Sequence, residues 1–164
     1  MTRQTTGEKW LAITELVETN TSKVREALAT YDRQQREIKN VDSSATLADK
    51  IPRKYATANQ EYFLIVCMNH GGQILKVIEI HKGGIASTMV DPRCVFRAAL
   101  RCKNCARIAL VHNHPGGDPK PSHDDQLITE RLIAASRVLG LQIVDHLILT
   151  VTGYSSFRDL GLIS

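Results

Sequence analysis

The spacing of apolar residues changes near residue 61. Before this point, in residues 8–39, apolar positions recur at helical spacings and predict two helices, the second ending in a charged, polar stretch. From residue 61 onward the run EYFLIVCMN is almost continuously apolar, which is typical of a buried strand. The alternating stretch QILKVIEIHKG follows a short turn and predicts the partner strand of a hairpin.

Helices and strands alternate along the rest of the chain. Asp91 before Pro92 marks the start of one helix, and a second, amphipathic helix begins after Ser122 and ends at Gly140. The runs ARIALVHNH and LQIVDHLILTVTG predict two more strands, and YSSFRDLGLIS predicts a last short strand and a tail. The pattern favours an α/β domain with a mixed β-sheet flanked by helices, covering residues 41–164. Residues 1–40 form an N-terminal helical extension in this interpretation.

Composition supports a compact globular domain and excludes a membrane span. The chain has 164 residues, of which 43% are hydrophobic, and no apolar run approaches the roughly 18–20 residues that a spanning helix needs. The N-terminal segment MTRQTTGEKW has no apolar core of the secretory type. We therefore expect a cytoplasmic protein without membrane contact.

The net charge of +4 is mild, but part of it is concentrated on one element. Arg93, Arg97 and Arg101 recur every fourth residue and so line one face of the helix predicted there. This face is either an ordinary solvated surface or a docking stripe for an acidic partner, with nucleic acid as one candidate. Aromatic residues make up only 5% of the chain, which argues against base stacking.

The cysteines give a weaker signal. Cys102 and Cys105 form a lone C-x-x-C, and no second pair follows at zinc-ribbon spacing. A cage formed by this pair with His112 and His114 is one alternative for a metal site. In a chain of this type, free thiols are expected rather than disulfides.

The stretch HNHPGGDPKPSHDD, residues 112–125, carries the most specific chemistry. His112 and His114 end a predicted strand and, being two residues apart, point to the same face. A Pro/Gly turn then reverses the chain, so the helix starting near Ser122 can bring Asp125 to the two imidazoles. Two histidines and a carboxylate leave one position of a tetrahedral zinc open, as in catalytic sites. The alternative is a simple capping box, since S-x-x-D before an apolar run is also a helix start.

These residues and their spacing resemble the JAMM motif, also called MPN or JAB, of zinc metallopeptidases. The loop HNHP-G, with ITERL and DHLIL downstream, is most similar to the RadC-like bacterial branch, over about residues 41–164. The resemblance implies the MPN/JAB fold, which is cytidine-deaminase-like. The helix-hairpin-helix region common in RadC-like proteins is not recognisable in residues 1–40.

Carried over by position, the resemblance implies that His112, His114 and Asp125 bind Zn²⁺. It implies that Ser122 stabilises the oxyanion and that Glu61 is the general base. Glu79, inside the alternating strand, is the competing candidate for the base.

The implied activity is hydrolysis of a peptide, isopeptide or similar amide bond by a zinc-activated water. The substrate is an unknown protein or peptide, because nothing in the sequence identifies it. Two alternatives stay open: a nucleic-acid-binding protein associated with DNA repair or mobile elements, and a catalytically silent interaction module. Asp145 and His146 resemble a family strand feature, for which we expect a structural role. The N-terminal helices make a homodimer plausible.

Overall fold

The computed structural model describes residues 20–26, 29, 40–83 and 90–163. The chain divides into two compact units, Met1–Lys39 and Asn40–Ser164. In the first unit, the described residues are helical. The predicted N-terminal extension otherwise lies outside the described residues and stays a prediction.

The second unit is built on one mixed sheet of five strands in the order β2-β1-β3-β4-β5. The strands are β1 (Tyr62–Met68), β2 (Ile74–Lys82), β3 (Arg107–Asn113), β4 (Gln142–Leu149) and β5 (Tyr154–Ser156). β3 and β4 run parallel, whereas the β1–β2, β1–β3 and β4–β5 pairs are antiparallel. The predicted mixed sheet is confirmed.

Helices cover both faces of the sheet. They are α1 (Ser44–Lys50), α2 (Arg53–Ala56), α3 (Pro92–Arg101) and α4 (His123–Val138). The predicted start signals hold, because Asp91 accepts from the Arg93 N–H at the start of α3 and Ser122 caps α4. After α4 the chain turns at Gly140, whose φ of 66° is one that glycine adopts without strain. Among the described residues, no helix is both long and apolar enough to cross a membrane.

Two apolar clusters form the core, one on each face. On the face that we call the site face, strand residues such as Phe63, Ile65 and Leu110 pack against α3 and α4. On the opposite face, residues such as Leu64 and Leu147 pack against α1 and α2. Both clusters consist mainly of buried aliphatic and aromatic side chains, and fully burying one such side chain stabilises the fold by about 1.5–3 kcal/mol.

The directions of the strands determine which chain segments meet at one edge of the sheet. β1 begins at the edge of the sheet where β2, β3 and β4 end, as the register of their pairs shows. Helix α4 begins at this same edge, after the loop that follows β3. In sheets with parallel strands, the carboxyl ends are the usual place for a binding site.

Candidate metal centre

Three side chains converge at this edge on the site face. His112 Nε2 lies 2.9 Å from His114 Nε2 and 3.0 Å from Asp125 Oδ1. His114 Nε2 lies 3.4 Å from Asp125 Oδ2. Within the described part of the chain, this is the one group of three or more such side chains whose ligand atoms come close enough to share a metal ion.

Local sequence explains why these residues meet. Both histidines leave the end of β3 on one side of the pleat, and Gly117, at φ 82°, helps the following loop to turn back. Ser122 and Asp125 then form a capping box, in which each side chain bonds the other's backbone N–H. The capping box predicted from sequence is confirmed, and it fixes Asp125 where it faces both imidazoles.

The outer nitrogen of each imidazole is also bonded. His114 Nδ1 lies 2.7 Å from the carbonyl oxygen of Asp118 and donates to it, because a carbonyl can only accept. His112 Nδ1 lies 2.8 Å from Nε2 of His146, a fully buried residue of β4. Burial, reinforced by the neighbouring His112, lowers the pKa of His146 well below its usual value. Both Nε2 atoms therefore point into the centre, and both rings are held from behind.

Electrostatics favour a carboxylate facing positive charge at this centre. Burial alone would raise the pKa of Asp125, but the neighbouring His112 and His114 imidazoles and the hydrogen bond from Ser122 outweigh burial and hold the pKa far below the usual range. The bond to Asp125 raises the pKa of His114, against the effect of partial burial. A negative oxygen and two imidazole nitrogens at these distances need a cation or a proton among them.

The donor set and its size fit zinc. Ligand atoms roughly 2.0–2.1 Å from a tetrahedral zinc lie about 3.3 Å apart. Here the two Nε2 atoms lie 2.9 Å apart, and each lies within 3.4 Å of one of the two Asp125 oxygens. Neutral imidazole nitrogen and carboxylate oxygen are both common zinc ligands. At a tetrahedral ion these three ligands would leave one position open, and the three residues line a cavity.

That cavity, of about 320 Å³, also receives both residues that the resemblance assigned to catalysis. Its lining residues are Glu61, His112, His114, Pro115, Gly116, Asp118, Ser122 and Asp125. Glu61 is also near enough to raise the pKa of His114 slightly through its charge. The Ser122 hydroxyl donates to Asp125 Oδ2 over 2.5 Å, so its hydrogen is directed at the carboxylate and away from the cavity.

The structure separates Glu79 from the site. Glu79 pairs with Leu64, which packs on the opposite face, and Glu79 Oε1 accepts a hydrogen bond of 2.8 Å from the Tyr55 hydroxyl. Cys102 and Cys105 also lie away from the histidines, beside the end of β1, where the Ala106 N–H donates to the Met68 carbonyl. The alternative cysteine–histidine cage is therefore wrong.

Sequence reasoning missed the supporting residue Asn113, which stands between the two histidines. Its Oδ1 accepts from the Tyr62 N–H at 2.7 Å, and its Nδ2 donates to the Gln60 carbonyl at 3.0 Å. These two peptide groups flank Glu61, so Asn113 fixes the backbone from which Glu61 projects. A buried asparagine at the end of an apolar strand is a signal of such a bond, since its amide needs partners.

Comparison with known proteins adds a family-level similarity. The family model described as a RadC-like JAB domain matches residues 41–162. A UPF0758 protein of Symbiobacterium thermophilum is 40% identical over 104 residues, which are 63% of this chain and 44% of that protein. A UPF0758 protein of Thermotoga maritima is 35% identical over 142 residues, which are 84% of this chain and 63% of that protein. The chain spans about half the length of the curated relatives it matches.

Proposed function

The chain belongs to the RadC-like JAB domain family, which is part of a superfamily that includes metal-dependent hydrolases. We propose that it is a zinc-dependent hydrolase of peptide or isopeptide bonds. In this proposal His112, His114 and Asp125 hold the zinc, and Glu61 is the general base. One observation carries the proposal: three convergent ligand atoms and a glutamate share one solvent-accessible cavity.

Each residue has a definite task in the proposed reaction. Zinc, when bound, is a Lewis acid that makes water more acidic and polarises a carbonyl. The Glu61 carboxylate takes a proton from the attacking water and passes it to the leaving nitrogen. The Asp118 carbonyl keeps the His114 ring turned so that its Nε2 faces the centre.

Ser122 has two tasks in this proposal, one structural and one chemical. Its Oγ accepts from the Asp125 N–H and so caps α4. To stabilise the oxyanion, its hydroxyl hydrogen must turn from Asp125 Oδ2 toward the cavity, which a metal bound to that carboxylate would favour by taking over its negative charge.

The test compares two glutamates on neighbouring segments. Purified wild type, Glu61→Gln and Glu79→Gln are loaded with zinc and assayed against fluorogenic peptide amides and an isopeptide-linked lysine substrate. We expect Glu61→Gln to lose about 10²–10⁴-fold in kcat and to keep its zinc. Glu79→Gln is the matched control, because its amide oxygen still accepts from Tyr55, and we expect no change. Turnover that survives in Glu61→Gln, or a wild type that binds no zinc, would contradict the proposal.

A second candidate function rests on the basic face of α3. Arg93, Arg97 and Arg101 are all exposed on this helix, and only Arg93 has an acidic partner among the described residues, Asp91 at 2.8 Å. Guanidinium groups spaced one helical turn apart suit the phosphates of a nucleic acid.

Salt dependence tests this second candidate. Three phosphate contacts give a slope of roughly −2 to −3 for the logarithm of the binding constant against that of the salt concentration. We expect the triple alanine variant of Arg93, Arg97 and Arg101 to lose this slope. The control removes three cations from α1 and α2, at Lys50, Arg53 and Lys54. Absence of DNA binding by wild type at low salt would contradict the candidate. The cytoplasmic location and the homodimer stay predictions.

A further inference from the structure

A third histidine lies directly behind the candidate metal centre. His146 is fully buried, with its Nε2 2.8 Å from His112 Nδ1 and its Nδ1 2.6 Å from Thr129 Oγ1. Its ring also contacts the rings of Phe63 and Phe157. Burying a polar ring is costly unless its polar atoms find partners, and here both nitrogens have one.

The hydrogen bond from Thr129 to the Asp125 carbonyl determines which ring nitrogens of His146 and His112 carry a proton. Thr129 Oγ1 donates its one hydrogen to the Asp125 carbonyl, 2.5 Å away, so toward His146 it can only accept. His146 Nδ1 therefore carries a proton, and in the neutral ring that burial favours, His146 Nε2 is free to accept. The donor to it is His112 Nδ1–H, which leaves His112 Nε2 with a lone pair.

We propose that His146 and Thr129 are positioning residues, which hold His112 in its Nδ1-protonated tautomer and aim its Nε2 at the metal position. This inference rests on the proposed zinc site, because it assigns the outer hydrogen bonds of one ligand. Ligating histidines commonly donate their second ring nitrogen to such a partner, and losing the partner weakens metal binding about 10–100-fold.

The hydrogen bonds form a chain from His112 through His146 and Thr129 to the backbone carbonyl of Asp125. The Asp125 side chain lies 3.0 Å from His112 Nε2, at the metal position. The chain joins β3, β4 and α4, so the His112 imidazole cannot rotate without breaking a hydrogen bond. It ends on an amide carbonyl, which does not take up a proton at neutral pH, and so it orients the ligand without conducting protons.

A histidine that only fills the core would behave differently. Replacing its hydroxyl partner would then lower stability and leave metal affinity unchanged. Under our inference the same change lowers zinc affinity, because His112 loses a fixed orientation and a fixed tautomer. The two interpretations therefore predict different zinc affinities, which can be measured without an enzymatic assay.

The first experiment measures the zinc dissociation constant by competition with a chromophoric chelator. Thr129→Val keeps the side-chain shape and removes the acceptor, and we expect zinc binding about 10–100-fold weaker. Thr129→Ser restores a hydroxyl, and we expect affinity within about threefold of wild type, below the range for a lost outer bond. Ser136→Ala is the matched control, since Ser136 is a buried residue two turns further along α4 whose hydroxyl donates to the Ile133 carbonyl and, among the described residues, has no bond to the metal centre.

The second experiment reads the tautomers directly by ¹⁵N NMR of the histidine rings in wild type, without and with zinc. We expect His146 to be protonated at Nδ1 and unprotonated at Nε2, and His112 to be protonated at Nδ1. The opposite tautomer of His146 would overturn the inference even if Thr129→Val failed to fold.

The outcomes separate the inference from the proposed function. A wild type that binds no zinc contradicts the proposed function, and the metal-free NMR spectrum then decides the tautomers alone. A wild type that binds zinc, together with unchanged affinity in Thr129→Val, contradicts only the positioning role.

Discussion

The buried carboxylates on the two faces of the sheet have different bonding partners. On the site face, Asp125 Oδ1 meets the imidazole nitrogen of His112, which the tautomer inferred above leaves without a proton to donate. On the opposite face, Asp145 pairs with Ala109, and its oxygens accept from the Ser156 hydroxyl and from the N–H groups of His146 and Arg158. Asp145 therefore has all its donors within the chain, whereas Asp125 has an oxygen left for a cation.

This comparison shows how to tell a carboxylate that holds the fold from one available for chemistry. Burial does not separate them, because both residues are almost fully buried. The bonding partners separate them. Hydroxyl and amide hydrogens satisfy a carboxylate, whereas a carboxylate beside imidazole lone pairs needs a positive charge from elsewhere. Four changes test the difference, in order of expected size.

Asp145→Ala is expected to have the largest effect. It leaves three donors without their acceptor on the opposite face, those of Ser156, His146 and Arg158. Each unsatisfied donor costs about 1–3 kcal/mol, so we expect the free energy of unfolding to fall by at least about 3 kcal/mol. Denaturant unfolding measures this loss. Asp145→Asn keeps an acceptor and should restore more than half of it; equal losses in both variants would contradict the role assigned to these bonds.

Asp125→Asn should act on metal binding instead. We expect zinc affinity to fall by more than the 10–100-fold typical of a lost outer bond, because the change alters a proposed ligand itself. In wild type, zinc at a hundred times its dissociation constant should stabilise the fold by about 2.7 kcal/mol, and the variant should gain almost nothing at that concentration. Thermal unfolding with and without zinc measures both. An equal zinc-induced shift in the two proteins would show that Asp125 is not a ligand.

Asn113→Ala tests the link between the faces. The change removes the bonds that hold the peptide groups on both sides of Glu61, at a cost of about 1–3 kcal/mol in unfolding free energy. We expect the Tyr62 amide hydrogen to exchange faster with solvent, while zinc affinity stays as in wild type. Hydrogen-exchange mass spectrometry reads the first quantity. Unchanged exchange at Tyr62 would mean that the strand is held by other bonds.

Tyr55→Phe is expected to be the mildest change. Burial, with the bond to Glu79, raises the pKa of Tyr55 to about 12. An unfolded chain loses this proton near pH 10, so the Tyr55 contribution to stability is present below about pH 10 and is lost as pH rises toward about 12. We expect Tyr55→Phe to cost about 1 kcal/mol at neutral pH and to remove a step near pH 12 from the tyrosinate absorbance titration. A step near pH 12 that persists would assign it to another tyrosine.

Local patterns predicted much of this structure. The apolar runs, the caps at Asp91 and Ser122 and the turn at Gly140 specify strands and helix ends through short-range physics, and all appear where expected. The cluster of His112 and His114 follows from the pleat of one strand. These features need no knowledge of how strands pair.

Features that depend on strand register could not be predicted. A β-bulge between Phe63 and Leu64 shifts the pairing, so that His81 pairs with Phe63 and Glu79 with Leu64. In an unbroken ladder Glu79 would pair with Ile65 and lie on the site face, which is why the sequence left two candidates for the base. The contact of His146 with His112 depends in the same way on the pairing of β3 with β4, which contains another irregularity. The adjacent polar pair Asp145–His146 within an apolar strand was the available signal of a buried network.

The reciprocal bonds between Ser122 and Asp125 separate folding from metal loading. Helix α4 takes its N-terminal cap from the chain itself, through hydrogen bonds that involve no metal. Zinc-finger domains, in contrast, fold only when the ion binds. A chain without the ion is therefore expected to form α4 as well. Under the proposed function, the zinc supply would then set the fraction of folded molecules that hold the ion.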